Sequence, residues 1–527
     1  MTLLITTVFL VPLLGTMLLM FFPLKKLQYV SVPCALYSCI ILCAYIPEGI
    51  HGFTHTILIW MNPLEFTILI DKLALLITLV MSVLFTTVLV FASHMKNRKF
   101  HMLILLNFSV LLLSIFSQSL LGFYICIEMA AVITYFLIIH KKTPQSINAG
   151  LIYFIFNITG AILILLSIII RTELPSIAAR LFIIGCLIKA GFAPFHIWLA
   201  RAHPVAPSPV SALLSGIMVK VSIYGIIRFA PTFTVDISLL LIIALLSMLL
   251  GVFSALLQSD IKKILAYHTV SQIGFILLGI SLMSDTGEIG GLLHLVNHAL
   301  FKGLLFLCAG AIIYATGTRN LHELGGLAKH MPIPAVACLV GSLAISGIPP
   351  FNGYVSKCIL YEASPSGYIS LIFSITCAGT VASFIKLYWH TFMGSSGKKP
   401  PQRAIPFSMK MALLVLSGLC IITGIFAQHI LSLVGYQIEI HVWNTAHIPQ
   451  IALNIGLGVL LYGIGMKSSL IVHPPQIRLS IDRFYQVSGD AVEYAGKKFH
   501  DILLQDINYY ALTIVFVLAA IYILFSL

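Results

Sequence analysis

The stretch AGFAPFHIW, residues 190–198, returns in altered form as SGIPPFNGY, residues 346–354. Gly191 matches Gly347, Pro194 matches Pro350 and Phe195 matches Phe351, with Pro349 added in the second copy. Each copy interrupts an apolar run long enough to cross a bilayer. A proline inside a helix removes one backbone hydrogen bond and clashes with the preceding turn, at about 3 kcal/mol or more. Lipid offers no partner for the freed groups, so such a break persists only where it faces protein or water. Two breaks of one composition, 156 residues apart, read as one device used twice.

The surrounding composition supports a membrane setting. Of 527 residues, 59% are hydrophobic and 9% charged, where a soluble domain is about one quarter charged. Apolar runs of bilayer-spanning length follow one another along the chain. They number about 16, so the expected fold is an all-α polytopic membrane protein. The first run begins at the N-terminus without a basic leader or a small-residue cleavage site, and reads as a span. Residues 51–70 alternate around Asn62-Pro63 and read as an outer hairpin. Residues 474–503 read as an amphipathic surface helix before a last span.

The net charge is +13. In a soluble protein that could indicate nucleic acid, but here it reports topology. Lys25, Lys26, Lys96, Lys99, Lys141, Lys142 and Lys263 lie in alternate loops, and the opposite loops and span ends hold only Arg171, Arg180 and Arg228. The positive-inside rule then puts both termini on the outer face. Ten cysteines form no C-x-x-C and most lie in apolar runs, so iron–sulfur, haem and zinc sites are not expected. The chain is expected to carry no cofactor of its own.

The first break falls in the seventh span and the second in the twelfth. Five spans separate them, so the two units must run in opposite directions. Tyr153 and Asn157 follow Gly150 as His294 and His298 follow Gly291. Spans 4–8 and 9–13 therefore read as inverted five-helix repeats, each with one discontinuous helix, the arrangement that marks a midplane transport site. The expected organisation is an N-terminal three-helix segment at 1–100, repeats at 101–231 and 232–394, and C-terminal spans 14–16 at 395–527.

Charges inside apolar runs cost at least ~2.5 kcal/mol each and usually mark ion pathways. Glu128 is the one acid in its span; Lys189 precedes the first break; Lys220 lies mid-span; Lys357 follows the second break. His294, His298 and Lys302 stand at i, i+4 and i+8, on one helical face. Lys386 and His268 are weaker candidates: Lys386, like Lys302, could snorkel to a span end, and His268 could satisfy a local hydrogen bond. The H-x-x-x-H pair could hold zinc, although no third ligand is evident. Two unit charges ~7 Å apart at an effective dielectric of ~20 interact by roughly 2.4 kcal/mol. Moving a charge across ~100 mV costs about the same. Making or breaking one Glu–Lys contact is thus large enough to direct a proton step, with histidines as relays.

Four stretches carry a resemblance: residues 187–229, DIKKILAYHTVSQIGFILLG (260–279), residues 292–332 and SGIPPFNGYVSKCILYE (346–362). They resemble the antiporter-like subunits of the complex I superfamily. That family comprises large membrane subunits of respiratory complex I, Mrp-type sodium/proton antiporters, and membrane-bound [NiFe] hydrogenases with their hydrogenase-4 relatives. The resemblance implies a hydrophilic axis along the membrane midplane. In it Glu128 pairs with Lys189, Lys220 is central, His294, His298 and Lys302 connect, and Lys357 is the outlet residue. It implies a proton-translocating subunit, with sodium coupling as an alternative, of a redox-driven complex in a prokaryotic plasma membrane. The partners implied are other membrane subunits, with Fe–S, NiFe or flavin centres carried elsewhere. The alternatives are a subunit of a stand-alone Mrp-type Na+/H+ antiporter with no redox partner, or a scaffold that has lost transport.

Overall fold

The computed structural model describes residues 2–61, 64–233, 237–365, 367–394, 401–436 and 447–467. The expected surface helix at 474–503 and the last span lie outside the described residues. The chain is mainly helical. Twelve helices among the described residues are long and apolar enough to cross a membrane.

Three helices, α1 (Thr2–Leu18), α2 (Gln28–Ala44) and the short α3 (Ile46–His51), lead into a hairpin. The antiparallel strands β1 (Phe53–Met61) and β2 (Leu64–Ile70) pair Phe53 with Ile70 and His55 with Ile68, as the alternation around Asn62-Pro63 predicts. An isolated bridge from Ile68 to Ser117 ties the hairpin to the bundle. Asp71 closes the turn into α4 (Lys72–Phe91) by accepting from the Ala74 amide, a helix N-cap. The same carboxylate receives both Arg228 terminal nitrogens at 2.6 and 2.7 Å. The sequence places Arg228 at the outer end of a span, where nothing reveals this partner.

Next come α5 (Arg98–Phe116), α6 (Leu120–Ile138), α7 (Pro144–Ile169), α8 (Pro175–Ala190) and α9 (Ile197–Val205). The following span is α10 (Ser208–Leu213), a π-helical turn (Leu214–Met218) and α11 (Val219–Phe229). Helices α12 (Ile237–Leu256), α13 (Ile261–Ser281), α14 (Asp285–Thr316), α15 (Pro332–Ser346), α16 (Asn352–Ala363) and α17 (Tyr368–Tyr388) follow. The described chain ends with α18 (Phe407–Ile425), α19 (Ala427–Leu433) and α20 (Ile448–Lys467).

The two breaks have one geometry. Gly191 takes φ 76°, ψ 37°, and Gly347 takes φ 75°, ψ 38°. Such left-handed values suit a residue without Cβ. Phe192 N–H reaches back to Leu187 O at 3.1 Å, and Ile348 N–H to Leu343 O at 3.1 Å. Both are the long bond of a Schellman cap, which satisfies carbonyls left open at a helix end. The chain then re-enters helix at Ile197 and at Asn352.

Candidate functional site

The first break sits against Glu128. Helices α7 and α8 cross where Gly160 and Gly185 meet; a Cβ on Gly160 would lie 2.7 Å from Gly185 O and from Lys189 Cγ. This close approach sets Lys189 beside α7. Its Nζ donates to Glu128 Oε1 at 2.6 Å and to Asn157 O at 3.3 Å. The Lys189 side chain is 4% exposed and that of Glu128 24%, so the pair reaches the edge of the described bundle on its acidic side. A small pocket beside it is lined by Tyr153, Asn157, Lys189, Trp198 and Ser222, among others.

Lys220 lies two residues beyond the π-helical segment. Its amine donates to Ser215 O inside that segment. Ser215 Oγ lies 2.7 Å from Thr269 Oγ1. Thr269 donates to Leu265 O at 3.0 Å, and Lys302 Nζ donates to the same carbonyl at 2.7 Å. Lys220 and Lys302 therefore contact one cluster of Ser215, Thr269 and Leu265, Lys220 through the Ser215 carbonyl and Lys302 through the Leu265 carbonyl that Thr269 also bonds. Both are fully buried, so Lys302 does not snorkel.

His294 and His298 stack in parallel on α14, with ring centroids 6.2 Å apart. Ser356 Oγ lies 2.9 Å from His294 Nδ1, and Gln272 Oε1 lies 3.2 Å from Nε2. Hydrogen bonds thus occupy both ring nitrogens, which argues against His294 as a zinc ligand. His298 has no protein partner at either nitrogen among the described residues. The same holds for His268, against the expectation that it satisfies a local hydrogen bond; it packs beside Phe384. Both side-chain atoms of Asn352 and the oxygen of Asn297 are likewise buried and unpaired. Unpaired buried polar groups are costly, and clusters of them are where internal water binds.

The line ends at Lys357, whose Nζ donates to Ile345 O at 2.7 Å and lies over the Phe275 ring. At the first break Trp198 Nε1 plays the corresponding part, donating to Ile188 O at 3.0 Å. Each broken helix end thus lends a carbonyl to a side chain from the half-helix that follows. A pocket at Lys357 opens between α16, α17 and α20.

The structure brings Glu128 and Lys189 together, sets Lys220 and Lys302 against one Ser215–Thr269–Leu265 cluster, and places His294, stacked with His298, against Ser356, the neighbour of Lys357. Lys386 stands apart. It is 2% exposed and caps the end of α12, donating to Leu256 O at 2.9 Å and Gln258 O at 2.7 Å. It does not snorkel.

Lys262 is the residue that sequence reasoning missed. It follows the α13 N-cap Asp260 and reads as a loop charge, yet it is 2% exposed. Its Nζ donates to Ala206 O at 2.7 Å and Ser211 Oγ at 3.3 Å. The signal was the apolar run that continues immediately from Ile264.

A family model described as "NADH:quinone oxidoreductase/Mrp antiporter, TM" matches residues 117–175 and 171–385. Among curated relatives, Hydrogenase-4 component B of Escherichia coli (strain K12) is 37% identical over 357 residues, which is 58% of this chain and 53% of that one. The chain therefore spans about half the length of that relative. An uncharacterized protein, MJ1309, of Methanocaldococcus jannaschii is 30% identical over 414 residues, covering 72% of this chain and 84% of its own. Among solved structures, a chain of the Mrp complex from Dietzia sp. DQ12-45-1b superposes with a TM-score of 0.76. It is 24% identical and matches over 87% of this chain and 100% of its own.

Proposed function

Because this chain belongs to the NADH:quinone oxidoreductase/Mrp antiporter transmembrane family, we propose that it is the ion-translocating subunit of a multisubunit, redox-driven membrane complex. It moves protons along the buried line from Glu128 to Lys357. The observation that carries this reading is the Glu128–Lys189 ion pair at one helix break, with a second buried lysine held at the other. The likeness to Hydrogenase-4 component B supports a hydrogenase-type partner. Electron transfer would then occur in other subunits, with no cofactor in this chain.

In this reading Glu128 and Lys189 form the coupling gate. At an effective dielectric of about 20, charges 4 Å apart attract by about 4 kcal/mol. Separating Lys189 from Glu128 costs about that much and leaves an uncompensated ammonium, whose repulsion favours moving a proton onward from Lys220. His298 and His294 relay it, and Lys357 releases it. Lys302, which meets the same Ser215–Thr269–Leu265 cluster as Lys220, loads the central lysine. His268 lies beside this route, and Lys386 anchors α12. The matched breaks at Gly191/Pro194 and Gly347/Pro350 support two inverted repeats, residues 101–231 and 232–394, within about 16 spans. Loop charges support outward termini. The test is Lys220→Ala in the assembled complex: ion pumping is abolished while the partner subunits still turn over. Pumping at the wild-type rate would end the relay assignment.

A second reading, a stand-alone Mrp-type Na+/H+ antiporter subunit, is favoured by the likeness to the Mrp complex along most of the chain. Copurification separates the two: redox subunits support the first, small antiporter subunits the second.

A further inference from the structure

Where helices α15 and α18 begin, a surface cavity of ≈ 420 Å³ is lined by residues 330–334, residues 401–405 and Lys410. Sites for small ligands span about 300–1,000 Å³, so a ligand group fits. The walls are fixed by the backbone. Met331 N–H donates to Leu327 O at 2.8 Å, and Met331 is 2% exposed. Gln402 N–H donates to Ala315 O at 2.7 Å, which ties the second wall to the end of α14.

The lining carries His330, Arg403 and Lys410 and no acid. None of the three has an ion-pair partner among the described residues. Their own segments offer none either: apart from Glu362, the sequence holds no Asp or Glu between Glu323 and Glu439. The helix starts add to the imbalance. Helices α4, α13 and α14 begin on the side-chain caps Asp71, Asp260 and Ser284, and α14 has Asp285 and Glu288 in its first turn. Helices α15 and α18 have neither a side-chain cap nor an acid in the first turn. Two positive dipole ends therefore border the cavity without a negative group. The site lacks a countercharge that an anion would supply.

The same two helices pack together and expose Val336, Leu339, Phe407, Met411 and Leu414 as they run on from the cavity. A basic cavity above an apolar strip matches a molecule with an anionic head and hydrocarbon tails. The loop charges mark this end of the bundle as cytoplasmic, the side where basic pockets between spans bind acidic head groups. We propose that the cavity holds the head group of an anionic phospholipid, its acyl chains lying along α15 and α18. Arg403 grips the phosphate with its two-pronged guanidinium, and Lys410 and His330 complete the positive wall. A zwitterionic lipid would bring no net countercharge, and a soluble anion would leave the apolar strip without a role. The choice of leaflet rests on the loop-charge reading of topology; the head-group site does not.

The experiment uses the assembled complex in detergent and a phosphatidylglycerol carrying a photoactivatable diazirine in one acyl chain. Mass spectrometry of crosslinked peptides locates the label, which should fall on the first turns of α15 and α18. Unlabelled phosphatidylglycerol should displace it, and phosphatidylcholine and inorganic phosphate should not. Arg403→Gln with Lys410→Gln should weaken binding roughly thirtyfold, about fivefold for each charge. Lys25→Gln with Lys26→Gln, which removes two basic charges from another loop, should leave it unchanged. The competition arm needs only the wild-type complex, so the proposal stays testable if the double variant fails to assemble. Equal displacement by phosphatidylcholine, or equal binding by the Arg403/Lys410 variant, would overturn the head-group site. Displacement by inorganic phosphate as effective as by phosphatidylglycerol would make it a soluble-anion site instead. A short lysine-reactive crosslinker that joins Lys410 to another subunit would make the face a protein interface and also end the proposal.

Discussion

Replacing Lys189 by Met keeps the stem of the side chain and removes the ammonium that Glu128 Oε1 contacts at 2.6 Å. At an effective dielectric of about 20 the gross attraction at that distance is roughly 6 kcal/mol. The net cost of breaking a buried pair is smaller, about 3–5 kcal/mol, most of it the penalty of the charge left behind. Burial decides which partner is worse to leave alone. Glu128 is 24% exposed and Lys189 4%. Lys189→Met strands a carboxylate at the edge of the described bundle, where neighbouring groups can rearrange around it, so its loss should lie near ~3 kcal/mol. Glu128→Gln strands a buried ammonium whose other recorded acceptor is Asn157 O at 3.3 Å, so its loss should lie nearer 5. The double variant has no stranded charge and should be more stable than either single one. Thermal unfolding of the purified complex at a fixed scan rate should rank wild type first, then the double variant, Lys189→Met and Glu128→Gln. If the single losses add to the double within about 0.5 kcal/mol, the two charges are not coupled and the gate argument is wrong.

Two further tests separate architecture from transport. Gly191→Ala and Gly347→Ala each force a Cβ into left-handed backbone, at about 1–2 kcal/mol; nearly identical dihedral angles at the two sites predict similar losses, with Asn milder than Ala, and a melting temperature unchanged in either Ala variant would remove the need for the turn. Lys386→Met strips Leu256 O and Gln258 O of a charged donor, which should cost about 1.5–3 kcal/mol per charge-assisted bond while pumping per assembled complex persists; lost pumping with unchanged melting would place Lys386 in the proton route instead.

The features legible in the sequence were those with local causes. Gly191, Pro194, Gly347 and Pro350 announce their breaks because each residue type has a conformational meaning of its own. Asn62-Pro63 announces the hairpin for the same reason. The His294, His298, Lys302 spacing fixes a shared helical face, although only the two histidines stack. What stayed hidden depends on partners far along the chain. The carboxylate for Arg228 is 157 residues away, and the carbonyl for Lys302 is 37 residues away in another helix. Backbone carbonyls leave no mark in a sequence, so the acceptors of Lys220, Lys262, Lys357 and Lys386 could not be read. The π-helical turn at Leu214–Met218 was also invisible. Its effect is to present Ser215 O to Lys220, and no residue type there requires it.

The acceptors bear on how the line could carry charge. Of the buried lysines in the proposed route, Lys189 alone meets a carboxylate among the described residues; Lys220, Lys302 and Lys357 rest on backbone carbonyls. A carbonyl dipole steadies an ammonium without neutralising it, so each added proton leaves a net positive charge that its neighbours feel. At about 7 Å and an effective dielectric of ~20, a second such charge costs roughly 2.4 kcal/mol, enough to disfavour two adjacent occupied sites by more than tenfold. In the proposed route, protons would move by displacement: a charge freed at Lys189 would raise the energy of one at Lys220 and push it toward the histidines. Glu128, at the exposed end of the line, then sets the occupancy of the whole, because it supplies the countercharge that the carbonyls cannot.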